Sequence, residues 1–237
     1  MHPNAHTSKH FDAELLHIRH RILEMGGIAE YQIRYAIEAL RTHDSLLVEK
    51  VVEQELRVNQ MECEIDEQCA QVIAKRAPTA FDLRFLMMSL KIITDLERIG
   101  DEAKKIALVS RQLLLNERKS PGYPEIRLMA AEVIDMLRRA LDELARFETQ
   151  DVAHIVRLDR EVDEQFKSML SELLHYMSDD PRTISSSIDK VFVAKALERI
   201  GDRDKNICPY VVYVTRGLDV RHTSAEDLEQ VWRDQMQ

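Results

Sequence analysis

The sequence predicts an all-α protein built from two homologous halves of three long helices each, and three observations carry that prediction. Leu96-Glu97-Arg98-Ile99-Gly100-Asp101 returns unchanged at Leu197-Glu198-Arg199-Ile200-Gly201-Asp202, so the chain is an internal repeat with a period of 101 residues, longer than that of the common solenoids. The 237 residues contain only six Gly and six Pro, about half of ordinary usage or less, which leaves few breaks for β-turns. Apolar residues also recur at helical spacing through six long stretches.

The first stretch runs from Lys9 to Arg41, with Leu15, Ile18, Ile22, Met25, Ile33 and Ile37 on one side and Gly26-Gly27 in its middle. Adjacent glycines weaken a helix, so close packing or a bend is expected there. The second, Asp44 to Arg76, is ended by Ala77-Pro78, because the residue before proline resists helical geometry. Its apolar line of Val51, Val58, Cys69 and Ile73 is interrupted by Glu62, with Asp66 beside it. Thr79 is a natural N-cap for the third stretch, which reaches Arg118. There Phe85, Ile92, Leu96, Ile99, Ala103 and Ile106 form one stripe, Leu86, Leu90, Ile93 and Leu108 a second, and Glu97, Asp101 and Lys104 lie within the second. Arg84, Lys91, Arg98, Glu102 and Lys105 gather on the remaining side, which reads as the solvent face.

Lys119-Ser120-Pro121-Gly122-Tyr123-Pro124 is the densest turn signal and separates the halves. A fourth helix follows from Glu125 to Phe147, with Leu128, Ala131, Ile134, Leu137, Leu141 and Leu144 expected inside. The fifth, Asp151 to Met177, carries Asp159 and Asp163 in an apolar line. Those two match Glu62 and Asp66 at a shift of 97, so a four-residue insertion is expected near Asp179-Asp180-Pro181. The sixth, Ser186 to Arg216, holds the second copy of the motif and ends at Gly217, with Pro209 expected to kink it or end it early. A short terminal helix with Leu228, Val231, Trp232 and Met236 on one side closes the chain. The expected organisation is a first repeat over 1–118, a linker at 119–124, a second repeat over 125–217 and a tail over 218–237.

Composition removes several function classes. A formal charge of -9 disfavours nucleic acid, whose phosphates need Lys and Arg, and an anionic membrane surface. Three Cys without CxxC spacing speak against a disulfide framework or a thiolate zinc site, and all three read as core thiols. No secretory leader and no apolar run of spanning length is present, so a cytoplasmic protein without membrane insertion is expected. No P-loop, zincin motif or nucleotide-binding glycine pattern occurs. Five of the nine His fall within the first 20 residues, and the His6/His10 and His17/His20 spacings read as incidental.

The chemistry lies in four acidic pairs at i,i+4: Glu62/Asp66, Glu97/Asp101, Asp159/Asp163 and Glu198/Asp202. Each stacks two carboxylates on one helical face. Any single pair reads first as a solvated face laced with salt bridges. Four pairs at matching positions, each set into an apolar stripe, are different, because partly desolvated carboxylates cost several kcal/mol per charge unless compensated. Lys104 and Lys205 recur at equivalent positions and neutralise one charge per half. A multivalent cation could take up the rest, and oxygen-only ligands favour Mg, Mn, Ca or iron. Gly100 and Gly201 would let a neighbouring helix or an ion come close. In a simple hairpin Glu62/Asp66 lie about 9 Å along the axis from Glu97/Asp101, which argues against all four at one ion. A di-metal carboxylate enzyme is the weaker alternative: Glu14-Leu15-Leu16-His17 and Glu172-Leu173-Leu174-His175 match its local pattern but are not equivalent in the repeat.

These residues resemble the PhoU family of bacterial phosphate-transport accessory and regulatory proteins. The doubled Leu-Glu-Arg-Ile-Gly-Asp carries the likeness, with Glu62-x-x-x-Asp66, Asp159-x-x-x-Asp163, Phe11-Asp12-Ala13-Glu14-Leu15, Met25-Gly26-Gly27 and Ala74-Lys75-Arg76-Ala77-Pro78-Thr79, from Phe11 to His222. The resemblance implies two tandem, pseudo-symmetric three-helix bundles, six long helices with the short C-terminal helix added, commonly as a homodimer and without enzymatic activity. It implies a negative regulator of the phosphate-starvation response that links a PhoR-type sensor histidine kinase to the PstB-type ATPase of the Pst phosphate transporter and restrains uptake. It also implies metal (Fe, Zn, Mn or Mg) on Glu62, Asp66, Glu97, Asp101, Asp159, Asp163, Glu198 and Asp202. Asp159 departs from the expected Glu, giving that site a shorter reach. A metal-free adaptor that uses the same carboxylates against a basic partner surface stands beside the metal reading.

Overall fold

A computed structural model of the chain describes residues 9–115 and 124–220. The described residues form six α-helices: α1 (Lys9–Thr42), α2 (Ser45–Arg76), α3 (Ala80–Leu115), α4 (Pro124–Arg146), α5 (Val152–Asp179) and α6 (Ile184–Arg216). A single 3-10 turn, Pro181–Thr183, joins α5 to α6 where the insertion is expected. There is no strand among the described residues. The helix ends have local causes. The Asp44 carboxylate accepts from the Leu46 amide at the start of α2, and Ala77 stops that helix in the left-handed region at φ 46° ahead of Pro78. Gly217, at φ 74°, ends α6 with its N–H on the Tyr213 carbonyl.

α1, α2 and α3 pack together, as do α4, α5 and α6, and the halves join through α3 against α6 and α1 against α4. Four helices, α1-α3-α6-α4, therefore form a central ring, with α2 and α5 outside it. The stripes read from the sequence are the core: Ile18, Ile22, Met25, Ile33, Phe85, Ile92, Leu96, Ile99 and Ile106 are all buried, each contributing about 1.5–3 kcal/mol by leaving water. Gly26 answers the question posed by its pair. A Cβ there would lie 2.5 Å from Leu141 of α4, whereas Gly27 faces open space. The glycine is a point of helix contact between the halves.

Several expectations change. On α4, Leu128 is exposed at 55% and Ala131 is also exposed, because the helix turns Met129, Ala130, Val133, Met136 and Ala140 inward. Cys63 is exposed, while Cys69 and Cys208 are buried. Burial, with the charge of Asp66 adding, pushes the Cys69 thiol up to about 12. Pro209 lies inside α6, which continues to Arg216 and is not cut short. The terminal helix expected after Gly217 falls outside the described residues.

The largest change is on the side of α3 that reads as solvent-facing: Arg98 and Lys105 are exposed as expected, but Arg84, Lys91 and Glu102 are not. Those three positions pack against α6 running the other way. Arg84 donates to the Val214 carbonyl at 3.3 Å, Lys91 sits 5.8 Å over the Tyr210 ring, Arg203 reaches Asp95 at 3.4 Å and Arg199 reaches Glu102 at 3.3 Å. A charged helix face thus meets a complementary one, and polarity alone misassigns it.

Candidate acidic sites of the two halves

The signature hexapeptide is positioned by its own apolar members. Leu96 and Ile99 are fully buried, as are Leu197 and Ile200. The 3.6-residue period then places Glu97 and Asp101, and Glu198 and Asp202, at the flank of the core. The motif glycines face neighbouring helices. A Cβ on Gly100 would lie 2.7 Å from the Gln32 Oε1 of α1, and one on Gly201 would lie 3.6–3.7 Å from Val133, Met136 and Val162.

In the first half, Glu62 is half-buried and accepts from the Thr94 hydroxyl at 3.0 Å. Burial raises the pKa of Glu97, and the charges of Glu62, Asp101 and Glu55 raise it further. So Glu62, Glu97 and Asp101 share one electrostatic site, while Asp66 is exposed. Lys105 holds Asp101 at 2.7 Å and Glu102 at 3.0 Å. Lys104, expected to neutralise the pairs, turns instead to Glu55 at 3.0 Å. Glu55 is 5% exposed and is absent from the sequence reading, although its position seven residues before Glu62 on the Val51–Val58 line was a signal.

The second half is arranged differently. Lys205 bridges Asp159 and Asp202, at 2.5 and 3.1 Å, as expected for the equivalent lysine. Burial raises the Asp159 pKa by more than Lys205 lowers it, with Asp202 and Asp163 adding to the rise. At Lys205 burial works against the ammonium, and the two carboxylates outweigh it. The contacts favour the ionised pair, held at the cost of Asp159's hydration. Glu198 takes Lys195 at 2.6 Å, leaving its Oε2 buried without a hydrogen-bond partner. Asp163 is half-buried.

Asp204 is a further acid that spacing did not reveal. It is fully buried with neither oxygen hydrogen-bonded, and burial, aided by the charges of Asp159 and Asp95, pushes its pKa well above the usual carboxylate value. Its first-half counterpart at the 101-residue shift is Ala103.

The two Glu-x-x-His candidates do not converge. Glu14 is taken by Arg76 at 2.9 Å, and His175, exposed at the far end of α5, lies 3.5 Å from Asp179.

The PhoU domain family matches the chain twice, over residues 22–109 and 126–211, once in each half. The chain belongs to the PhoU family. Curated relatives include the phosphate-specific transport system accessory protein PhoU of Edwardsiella tarda, 41% identical over 98% of this chain and 95% of that protein. The Escherichia coli protein of the same name is 40% identical over 96% of this chain and 94% of that protein. Among solved structures, PhoU from Pseudomonas aeruginosa superposes with a TM-score of 0.84 at 41% identity, covering 88% of this chain and all of that one. The phosphate transport system regulatory protein PhoU from Streptococcus pneumoniae gives 0.81 at 26% identity, covering 89% and 99%.

A metal on the PhoU acidic pairs can be tested against these contacts. Among the described residues, no three His, Cys, Asp or Glu side chains are disposed to hold an ion as they stand. The first half nevertheless has hard oxygen donors for one on Glu62, Glu97 and Asp101, and burial, followed by the charges of Glu62, Asp101 and Glu55, raises the Glu97 pKa. In the second half, the Lys205 ammonium already stands between Asp159 and Asp202. A cation there would have to displace it. No helix among the described residues is long and apolar enough to cross a membrane.

Proposed function

We propose that this PhoU-family chain is a non-enzymatic accessory regulator of a phosphate-specific transport system. It acts by protein contact on the cytoplasmic side of the membrane, as a homodimer, linking a PstB-type ATPase of the transporter to a PhoR-type sensor histidine kinase and keeping the phosphate-starvation response off when phosphate is plentiful. What carries the reading is near-full-length likeness, about 40% identity over 96% of the chain, to proteins named for the accessory role in phosphate-specific transport. A long helical scaffold with charged faces suits an adaptor.

The first-half carboxylates Glu62, Glu97 and Asp101, joined by Asp66, are the proposed cation site. When bound, the ion supplies positive charge that the local lysines do not. Thr94 donates to Glu62 and Lys105 holds Asp101, and a cation bound there would have to share Asp101 with that lysine. For Asp159, Asp163, Glu198 and Asp202 the metal-free reading is favoured, because Lys205 and Lys195 already serve as counter-ions.

Complementation tests the role. In a strain lacking its own PhoU and carrying a phosphate-starvation reporter, this chain is expected to restore repression at high phosphate. A reporter that stays on despite folded, abundant protein would sink the reading. Elemental analysis, on protein purified without a metal-affinity column, tests the site: metal should be lost in Glu97→Ala/Asp101→Ala and unchanged in Glu198→Ala/Asp202→Ala.

A further inference from the structure

One amphipathic stretch of the sequence has no place in the fold described so far. Over 224–237, Leu228, Val231, Trp232 and Met236 share one side, and Glu226, Asp227, Glu229 and Asp234 stand against a single cation, Arg233. The stretch lies outside the described residues, which end at Val220, itself buried.

The complement of that pattern lies on the seam between α1 and α4. An open groove of about 410 Å³ runs there, floored by Ile37, Ala131 and Ile134 and rimmed by Arg34, Arg127 and Arg138. Leu128, one turn before Ala131, is 55% exposed, so α4 presents a second apolar side that nothing covers among the described residues. The rim is basic in a chain that is otherwise acidic. Arg34 and Arg138 share the one Glu30 carboxylate, at 2.7 Å each, Arg127 adds a third cation, and the Asp135 of the rim is already taken by Arg139 at 2.7 Å.

Reach selects this groove over the other exposed apolar stripe. Arg216, at the end of α6, donates to Thr149 just beyond α4 at 2.8 Å, and from there the axial rise to Arg138 is about 16 Å. The eight residues from Val220 to Leu228 span up to about 28 Å when extended, enough for the rise and the turn around α4. Ile184, Ile188 and Phe192 are also exposed, at 41, 42 and 64%. They lie at the opposite end of α6, and its 33 residues put them roughly 40–50 Å away, out of reach within one chain.

We propose that residues 224–237 dock in the α1/α4 groove of their own chain, apolar side on Ile37, Ala131 and Ile134, acidic side chains against the arginine rim.

Trp232 is the only tryptophan of the chain, so its emission and acrylamide quenching in the full-length protein read the docking directly. A blue-shifted, quench-protected emission independent of protein concentration is expected. Arg127→Glu and Ala131→Glu should each move it to the red and raise quenching with helicity and melting temperature unchanged, and Phe192→Ala should leave it alone. Ala131 is exposed, so its substitution spares the fold. Solvent-like emission in the unaltered protein overturns the proposal. So does a blue emission that neither groove variant moves, or one that appears only as the protein is concentrated, which assigns the contact to a second copy.

Discussion

The two copies of Leu-Glu-Arg-Ile-Gly-Asp occupy the same place in their bundles and are neutralised in opposite ways. Lys104 leaves the first acidic site for Glu55, whereas Lys205 stays and bridges Asp159 and Asp202. Two side chains around the motif differ, and Lys105, which holds Asp101, corresponds to Asn206 at the shift of 101. At the shift of 97 that relates α2 to α5, Glu55 corresponds to Val152, so the second lysine has no competing acid and turns to the pair. Helix geometry is shared by the halves, and charge balance is set by single side chains around it. A repeat therefore predicts where carboxylates stand better than what they bind.

Substitutions in either half should change the balance of charge around its motif. Lys205→Met removes the second half's counter-ion and should cost about 2–3 kcal/mol at neutral pH by denaturant unfolding, below the usual range for a buried pair because the lysine is partly exposed. Asp159→Asn in the same chain should restore most of it. The loss should shrink in acid, since the raised Asp159 carboxyl takes up a proton there before an ordinary one would.

For the first half, a divalent cation added to chelator-treated protein at about 100 times its dissociation constant should raise stability by about 2.7 kcal/mol. Glu97→Ala/Asp101→Ala should abolish the rise and Glu198→Ala/Asp202→Ala should keep it. Equal losses in both would erase the distinction between halves.

Asp204→Ala, which makes the second half like the first at Ala103, should stabilise by about 1–2 kcal/mol near neutral pH by removing a desolvated acid with no partner. The sign follows from its raised folded-state pKa: the fold favours the protonated acid, so stability falls as pH rises above the unfolded value of about 3.9. The gain from Asp204→Ala should accordingly shrink below that pH, leaving only the cost of a neutral carboxyl without a partner. The motif glycines give the smallest contrast. Gly100→Ala must displace the fully buried Gln32 and should cost about 1 kcal/mol, whereas Gly201→Ala makes ordinary contacts and should gain up to about 1 kcal/mol from helix propensity. Thermal melts of the two variants side by side decide it.

Much of this architecture was legible. Periodicity located all six helices because each buries an apolar stripe, and Asp44, Ala77-Pro78 and Gly217 marked ends through strictly local backbone chemistry. What failed to show depended on contacts between distant segments. Arg84, Lys91 and Glu102 look like solvent residues until α6 brings Val214, Tyr210 and Arg199 to them. Leu128 looks like core until α4 is seen to turn Met129 inward. At the acidic sites, spacing found the eight carboxylates but not Glu55, which decides where Lys104 goes, nor the orphaned Asp204.

The polar seam between α3 and α6 also bears on how the chain is made. At roughly 5–20 residues per second on the ribosome, the 101 residues between the two motif copies take about 5–20 s to emerge. A first bundle folded as a unit would leave one side of α3 bare for that time. A greasy surface left waiting would recruit other nascent chains. Arg84, Lys91, Asp95 and Glu102 are side chains that water can solvate until Arg199, Arg203, Tyr210 and Val214 arrive, which suits this seam to waiting better than an apolar one.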